Sequence, residues 1–266
     1  MFREGARCHT SFQHRMGAGM SEPWRKRVVI GDATLYLGDC LEILPYCPMV
    51  DVVITDPPYS DNTHQYAKTN RGIGHGVKLV TFDSLTTDGF VIAMRALLRR
   101  SAGWVIATCD YRHAYLAYDW PEFVRLGVWV KPNPMPQISA DRPAQGFEIV
   151  LILHSGKTPK RWNRGGGSGV WSYPVIRDAI LPTQKPIQLI NALISDFTVE
   201  GQLVADPFMG SGTVGVSCLQ SHRRYIGIEQ DADRFAIACE RIENAQRQVR
   251  LFDAPQPKAQ QEEMPI

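Results

Sequence analysis

No apolar run in the 266-residue chain approaches the roughly 20 residues that a membrane-spanning helix requires, so the sequence predicts no such helix. The first residues carry Arg3, Arg7 and Arg15 but lack the apolar core of a signal peptide. Cysteine is sparse: Cys8, Cys40, Cys47, Cys109, Cys218 and Cys239 form no CxxC pair and stand at no zinc-like spacing with histidine. That pattern argues against a disulfide framework or a bound metal, and for reduced thiols in a cytoplasmic protein. Neither sign of charge dominates. A net charge of +2 is too small to announce a polyanionic partner, so any nucleic-acid face must come from local clustering. With 44% hydrophobic and 21% charged residues, the chain has ample core for one large globular domain.

What is present is organised around Asp56-Pro57-Pro58-Tyr59. The apolar run Val52-Val53-Ile54 before it reads as a buried strand, and polar, Gly-containing residues follow, so the tetrapeptide is expected at the carboxyl edge of a sheet. Two prolines fix φ and donate no hydrogen bond, which holds the Pro57 carbonyl outward as an acceptor beside the Asp56 carboxylate. Two acceptors with an aromatic ring two residues on suit a planar exocyclic amine, with Tyr59 stacking on its base for roughly 1–3 kcal/mol. A Pro-Pro turn followed by an incidental tyrosine accounts for the same four residues.

Around it the chain alternates strands and helices. Val28 to Ile30 and Thr34 to Tyr36 read as short strands, and Gly38-Asp39 opens a short helix in which Asp39 is either a helix cap or an acceptor for a ligand amino group. Residues 60–82, with Gly72, Gly74 and Gly76, form a long connector that suits a mobile active-site loop; His64 and His75 within it read as surface residues. Helix Phe90 to Leu98, strand Trp104 to Ala107 and helix Tyr111 to Tyr118 give the crossover rhythm of a parallel sheet. Gly127 to Val130 and Phe147 to Leu153 follow as strands joined by a linker whose four prolines forbid a helix, so they predict an antiparallel hairpin at one sheet edge.

The segment 154–181 is basic and aromatic: Lys157, Lys160, Arg161, Arg164 and Arg177 interleave with Trp162, Trp171 and Tyr173 around Gly165 to Gly167. Such a stretch suits phosphates and unstacked bases, and a solvated loop equally well. Pro182-Thr183-Gln184-Lys185-Pro186 then introduces an amphipathic helix. Beyond it, strand Leu203 to Ala205 runs into Asp206-Pro207-Phe208-Met209-Gly210-Ser211-Gly212-Thr213, and Gly210, Gly212 and Gly215 have GxGxxG spacing at a helix start. Glu229, at the end of strand Tyr225 to Glu229, stands where an acid binds ribose hydroxyls. A final helix begins at Asp231, and the residues after Asp253 read as a disordered tail.

The glycine spacing alone also fits a nicotinamide dinucleotide. Taken with Asp56 to Tyr59 and with Pro182 to Pro186, however, the chain from about Val28 to about Arg247 resembles the β group of amino-group DNA methyltransferases, which act on adenine N6 or cytosine N4. In that group the catalytic motif precedes the cofactor glycines, as here. The resemblance implies an α/β, Rossmann-like, S-adenosylmethionine-dependent methyltransferase sheet of circularly permuted motif order, mostly parallel with an antiparallel edge hairpin. It implies that Asp56 and the Pro57 carbonyl hold the amine, that Pro58 keeps the turn rigid and that Tyr59 stacks on a flipped base. Asp206 and Phe208 would flank the cofactor, with Gly210, Gly212 and Thr213 in close contact. Glu229 would take the ribose hydroxyls, Asp39 the adenine amino group, and Thr183 and Lys185 the cofactor carboxylate. Leu181 departs from the family pattern, which often has His there. Asp rather than Ser at the head of the tetrapeptide leans, in family members, toward adenine N6.

The resulting organisation is an irregular extension over 1–26 (Met20 is an alternative start), a catalytic half over 27–153, a target-recognition segment over 154–181, a cofactor half over 182–250 and a tail over 251–266. Double-stranded DNA is the expected partner, contacted by Lys157, Lys160, Arg161 and Arg164; a homodimer and a cognate restriction endonuclease are candidates that no strip of sequence identifies. N4-cytosine methylation is the alternative activity. Methylation of RNA or of protein glutamine usually comes with the opposite motif order; retention of both acceptors and of the stacking Tyr59 speaks against a non-catalytic DNA-binding module, and Asp206-Pro207-Phe208 before the glycines against a nicotinamide oxidoreductase.

Overall fold

The computed structural model describes residues 22–60, 85–137, 140–181 and 184–253. The connector expected over 60–82, with His64 and His75, falls almost wholly outside the described residues, as do Thr183, most of the N-terminal extension and the tail from 254 onward. Among the described residues no helix is long and apolar enough to cross a membrane, and no group of His, Cys, Asp or Glu could hold a metal ion.

One nine-stranded sheet carries the molecule. In chain order the strands are β1 (Lys26–Ile30), β2 (Ala33–Leu37), β3 (Val52–Thr55), β4 (Trp104–Cys109), β5 (Phe123–Val130), β6 (Phe147–His154), β7 (Val170–Ser172), β8 (Leu203–Asp206) and β9 (Arg224–Glu229). In space they lie β1-β2-β9-β8-β3-β4-β6-β5-β7. From β2 to β4 every neighbour is parallel, whereas β1 and β6 run against the rest. Every residue of β3, β4 and β8 is buried, as parallel strands covered on both faces must be. Their side chains alternate between two cores. Val52 and Ile54 face a cluster built with the helices Ile187–Phe197 (α4), Thr213–Gln220 (α5) and Ala232–Asp253 (α6). Val53 faces another, built with Cys40–Ile43 (α1), Thr87–Arg100 (α2) and Tyr111–Ala117 (α3).

Strand direction decides where everything else sits. Thr55, Cys109, Asp206 and Glu229 end parallel strands and therefore share one edge of the sheet. Because β6 pairs antiparallel to β4, with Cys109 opposite Ile149 and Trp104 opposite His154, it starts at that edge and leaves at the other. Its 8 residues, at roughly 3.3 Å each, carry the chain about 25 Å away.

Two expectations are corrected by this. The β5–β6 hairpin is not itself the sheet edge, because β7 adds a parallel strand outside β5. And the basic residues Lys157, Lys160, Arg161 and Arg164 follow β6 onto the amino-terminal edge, away from Asp56. There the Trp104 indole donates to the Arg161 carbonyl at 2.7 Å, and Arg164 lies 3.6 Å from Asp196 on α4.

Lys157 has a structural task at that edge. Its ammonium donates to the carbonyls of Leu98, Arg99 and Ser101 at 2.9, 2.8 and 2.8 Å, closing the orphaned end of α2. Lys157→Ala is therefore expected to lower stability by roughly 1 kcal/mol while leaving DNA affinity near the wild-type value. Paired thermal denaturation and DNA titration check this, and a loss confined to DNA affinity would contradict it.

Candidate active site

Asp56 directly follows β3. One carboxylate oxygen accepts from the Thr108 hydroxyl on β4, and the other accepts from the Lys185 ammonium at 2.6 Å. Lys185 also stands 3.4 Å from Glu148 and 5.2 Å from the centre of the Tyr59 ring. Glu148, the second residue of β6, accepts from the Tyr59 hydroxyl at 2.5 Å and from the Lys131 ammonium at 2.5 Å. Asp56, Lys185, Glu148 and Lys131 thus form a chain of alternating charge, two anions and two cations, and Tyr59 is hooked to its middle. Within so short a chain Glu148 and Lys185 are each held in the charged form by their neighbours. Burial works to raise the Glu148 carboxyl, but Lys185 and Lys131 outweigh it and bring it down to about 2. Burial likewise works against the Lys185 charge, and Asp56 and Glu148 overcome it and hold this amine above its ordinary value. For Asp56, burial outweighs the pull of the Lys185 ammonium and the Thr108 hydrogen bond and holds the carboxyl above its ordinary value.

Several members of this arrangement were not legible as functional. Glu148 gives one signal, a lone acid ahead of the apolar run Ile149 to Leu153. Lys131 and Thr108 give none. Asp110, just before the helix expected from Tyr111, caps α3 and also accepts from both the amide and the hydroxyl of Ser60, at 2.9 and 2.5 Å. That pins the chain immediately after Tyr59. Lys185, expected at a cofactor carboxylate, lines the cavity with its ammonium paired to Asp56 and 3.4 Å from Glu148.

The second half of the site lies at the ends of β8 and β9. Asp206 is buried, and one of its oxygens accepts from the Thr55 hydroxyl at 2.7 Å and the Phe208 amide at 3.2 Å. Burial pushes its carboxyl up to about 7, against those two hydrogen bonds. Glu229 is buried with each oxygen held by a backbone amide, Gly210 at 2.8 Å and Asp231 at 2.9 Å, and burial raises its carboxyl as well. Asp39 caps α1 by accepting from the Leu41 amide at 2.7 Å.

The glycines divide. Gly210 has φ +53, and a Cβ there would meet nothing nearer than the Phe208 carbonyl at 3.9 Å, so the space above it is open to a ligand. Gly212 does not line the cavity; its φ is +77, and a Cβ would lie 3.0 Å from the Cβ of Ala238 and 3.1 Å from Ile242, so here glycine lets α5 pack against α6. Gly212, expected at the cofactor, thus has a packing task of its own. Thr213 lines the cavity, and its hydroxyl lies 3.2 Å from that of Ser211.

Asp206 carries a pH signature. The folded chain keeps its proton up to about pH 7, whereas an ordinary aspartate loses it near 3.8, so folding takes up a proton between those values. The contribution of this group to stability therefore falls as pH rises from about 4 to 7. Asp206→Asn is expected to remove that slope, so that the variant's melting temperature gains on wild type between pH 5 and pH 8; a constant difference would contradict it.

The two halves open into one cavity of about 1140 Å³. Asp56, Pro57, Pro58 and Tyr59 line one part, Asp206, Phe208, Gly210, Thr213 and Glu229 the other, with Asp39 and Lys185 also on its wall. The volume exceeds what one drug-sized ligand occupies and accommodates a nucleoside-sized cofactor beside a base. The buried carboxyl groups of Asp206 and Glu229 and the open backbone at Gly210 suit a ligand that carries ribose hydroxyls. S-adenosylmethionine fits this donor set.

Comparisons with known proteins agree. The family profile described as DNA methylase matches residues 50–240. The chain is 28% identical over 243 residues to the type II methyltransferase M.HinfI of Haemophilus influenzae, an alignment that covers 79% of this chain and 68% of that protein. Its structure is similar to that of the M1.HpyAVI complex with SAM, with a TM-score of 0.59 and 27% identity over 79% of this chain and 99% of the other. The cytosine-N4-specific PvuII DNA methyltransferase shares the fold, with a TM-score of 0.64 at 15% identity over 85% of this chain and 96% of the other.

Proposed function

Because the chain belongs to the family of DNA methylases that modify adenine N6 or cytosine N4, and is a site-specific DNA methyltransferase that uses S-adenosylmethionine, we propose that its target is the N6 amine of adenine in duplex DNA. The observation that carries this reading is one cavity lined both by Asp56, Pro57 and Tyr59 and by Asp206, Phe208 and Glu229.

A base inside a duplex is out of reach of such a cavity, so the target nucleotide is rotated out of the stack, at a cost of a few kcal/mol. Asp56 and the Pro57 carbonyl then accept the two N–H hydrogens of the amine, which keeps its lone pair on nitrogen rather than in the ring. Lys185 and Thr108 hold the Asp56 carboxylate in place, and burial raises its proton affinity, which suits it to accept the proton that the amine sheds. Tyr59 stacks on the base, its ring angle set by the hydroxyl bond to Glu148. S-adenosylmethionine supplies a methyl group on a positively charged sulfur; Asp206, Phe208, Gly210, Thr213, Glu229 and Asp39 are the residues that would hold it. Positioning of this kind accounts for much of the rate without a metal or covalent intermediate.

Aspartate rather than serine at the head of the tetrapeptide supports adenine over cytosine. Nucleoside analysis of DNA treated with the protein is expected to yield N6-methyladenine; N4-methylcytosine as the sole product would overturn the choice of base. The face that meets DNA is the rim of the cavity, formed by residues 131–137 and by residues 173–181 with Arg177, which line or border it.

A further inference from the structure

We propose that Met135 is the side chain that enters the base stack and fills the gap when the target nucleotide leaves it. The inference rests on the reading above, that a base is rotated out of duplex DNA into the cavity.

Met135 lines the cavity and is nevertheless 71% exposed. An exposed large apolar side chain gains nothing for the fold, and this one projects from an unusually stiff support. Pro132, Pro134 and Pro136 fix φ at three positions around it. Asn133 is clamped to Val175 from both sides, accepting from its amide at 2.8 Å and donating to its carbonyl at 3.4 Å. At the base of the loop, the Lys131 amide donates to the Gly146 carbonyl at 2.8 Å while its side chain is bound to Glu148. The loop is thus tied to the same acid that orients Tyr59, which fixes the methionine relative to the base pocket.

The chemistry required at this place is that of an unbranched apolar body on a rigid platform. Proteins that open a base step insert side chains such as Met, Leu, Ile, Phe or Pro into it, and a thioether adapts to an irregular gap. Tyr111 and Tyr115 on α3 and Tyr118 at its end are comparably exposed, but they do not line the cavity.

The test uses two duplexes that carry the site mapped by sequencing DNA modified by the wild-type protein, one with the target paired and one with it opposite an abasic position. A wedge accelerates only the first, since the unpaired base leaves the stack at little cost. Met135→Ala is expected to raise the ratio of unpaired to paired single-turnover methylation rates by about tenfold or more, and Met135→Leu to return it to within about threefold of wild type. An unchanged ratio in Met135→Ala, whether both rates fall or neither does, overturns the proposal, and so does failure of leucine to restore it. A wild-type protein that methylates neither duplex overturns the underlying reading instead.

Discussion

Asp56→Ala is expected to lower methyl transfer to DNA by roughly 10²- to 10³-fold or more, the scale on which removal of one preorganised polar partner of the reacting group acts. The affinity for S-adenosylmethionine should stay within about threefold of wild type. The reasoning is local. The Asp56 carboxylate lies at the amine end of the cavity, held by Thr108 and by Lys185 at 2.6 Å, whereas the groups assigned to the cofactor end at β8 and β9. Deleting it leaves Lys185 with Glu148, 3.4 Å away, so the pocket keeps its shape but loses an acceptor. Calorimetric titration with the cofactor, beside single-turnover methylation, separates the two effects. Loss of both together would mean that Asp56 belongs to the cofactor and not to the substrate.

Glu148→Ala is expected to be the most destabilising change in the site, by roughly 3–5 kcal/mol, because it breaks a buried ionic network on one side only. Lys131 and Lys185, with side chains 13% and 9% exposed, would be left without the acid between them, and the Tyr59 hydroxyl would lose its acceptor. Glu148→Gln keeps an acceptor for Tyr59 but not the charge, so it should recover transfer better than alanine while recovering little stability. Urea denaturation and methylation rates for both variants check this; an alanine variant as stable as wild type would contradict it. The same network predicts an acid limit. Glu148 is held at about 2 against an ordinary value of 4.5, so its contribution is complete above about pH 4.5 and lost as pH falls toward 2.

The parts of the site that were readable in advance are those in which the backbone itself carries the chemistry. A buried apolar run that ends in Asp56-Pro57-Pro58-Tyr59, and another that ends in a glycine turn from Asp206, say what the chain must do locally, and both strands form as expected. Local pattern does not say at which edge of the sheet a segment emerges. Lys157, Lys160, Arg161 and Arg164 have the composition of a DNA-contacting stretch, yet the antiparallel run of β6 carries them to the far edge, where Lys157 closes a helix. Glu148 enters the site through the same strand, at its opposite end. Its role depends on Lys131, Lys185 and Tyr59, which are scattered along the chain, and a pattern read in short windows joins none of them. Gly212 and Gly210 look alike in sequence, but only helix packing against Ala238 tells them apart.

The claim on which the rest depends is that amine acceptors and cofactor groups face one another across a single cleft. A crystal structure of the protein with S-adenosylhomocysteine tests it most directly. The account predicts the ligand's ribose at Glu229 and its sulfur turned toward Asp56 and the Tyr59 ring. A ligand bound outside this cavity, or one whose sulfur points away from Asp56, would contradict it.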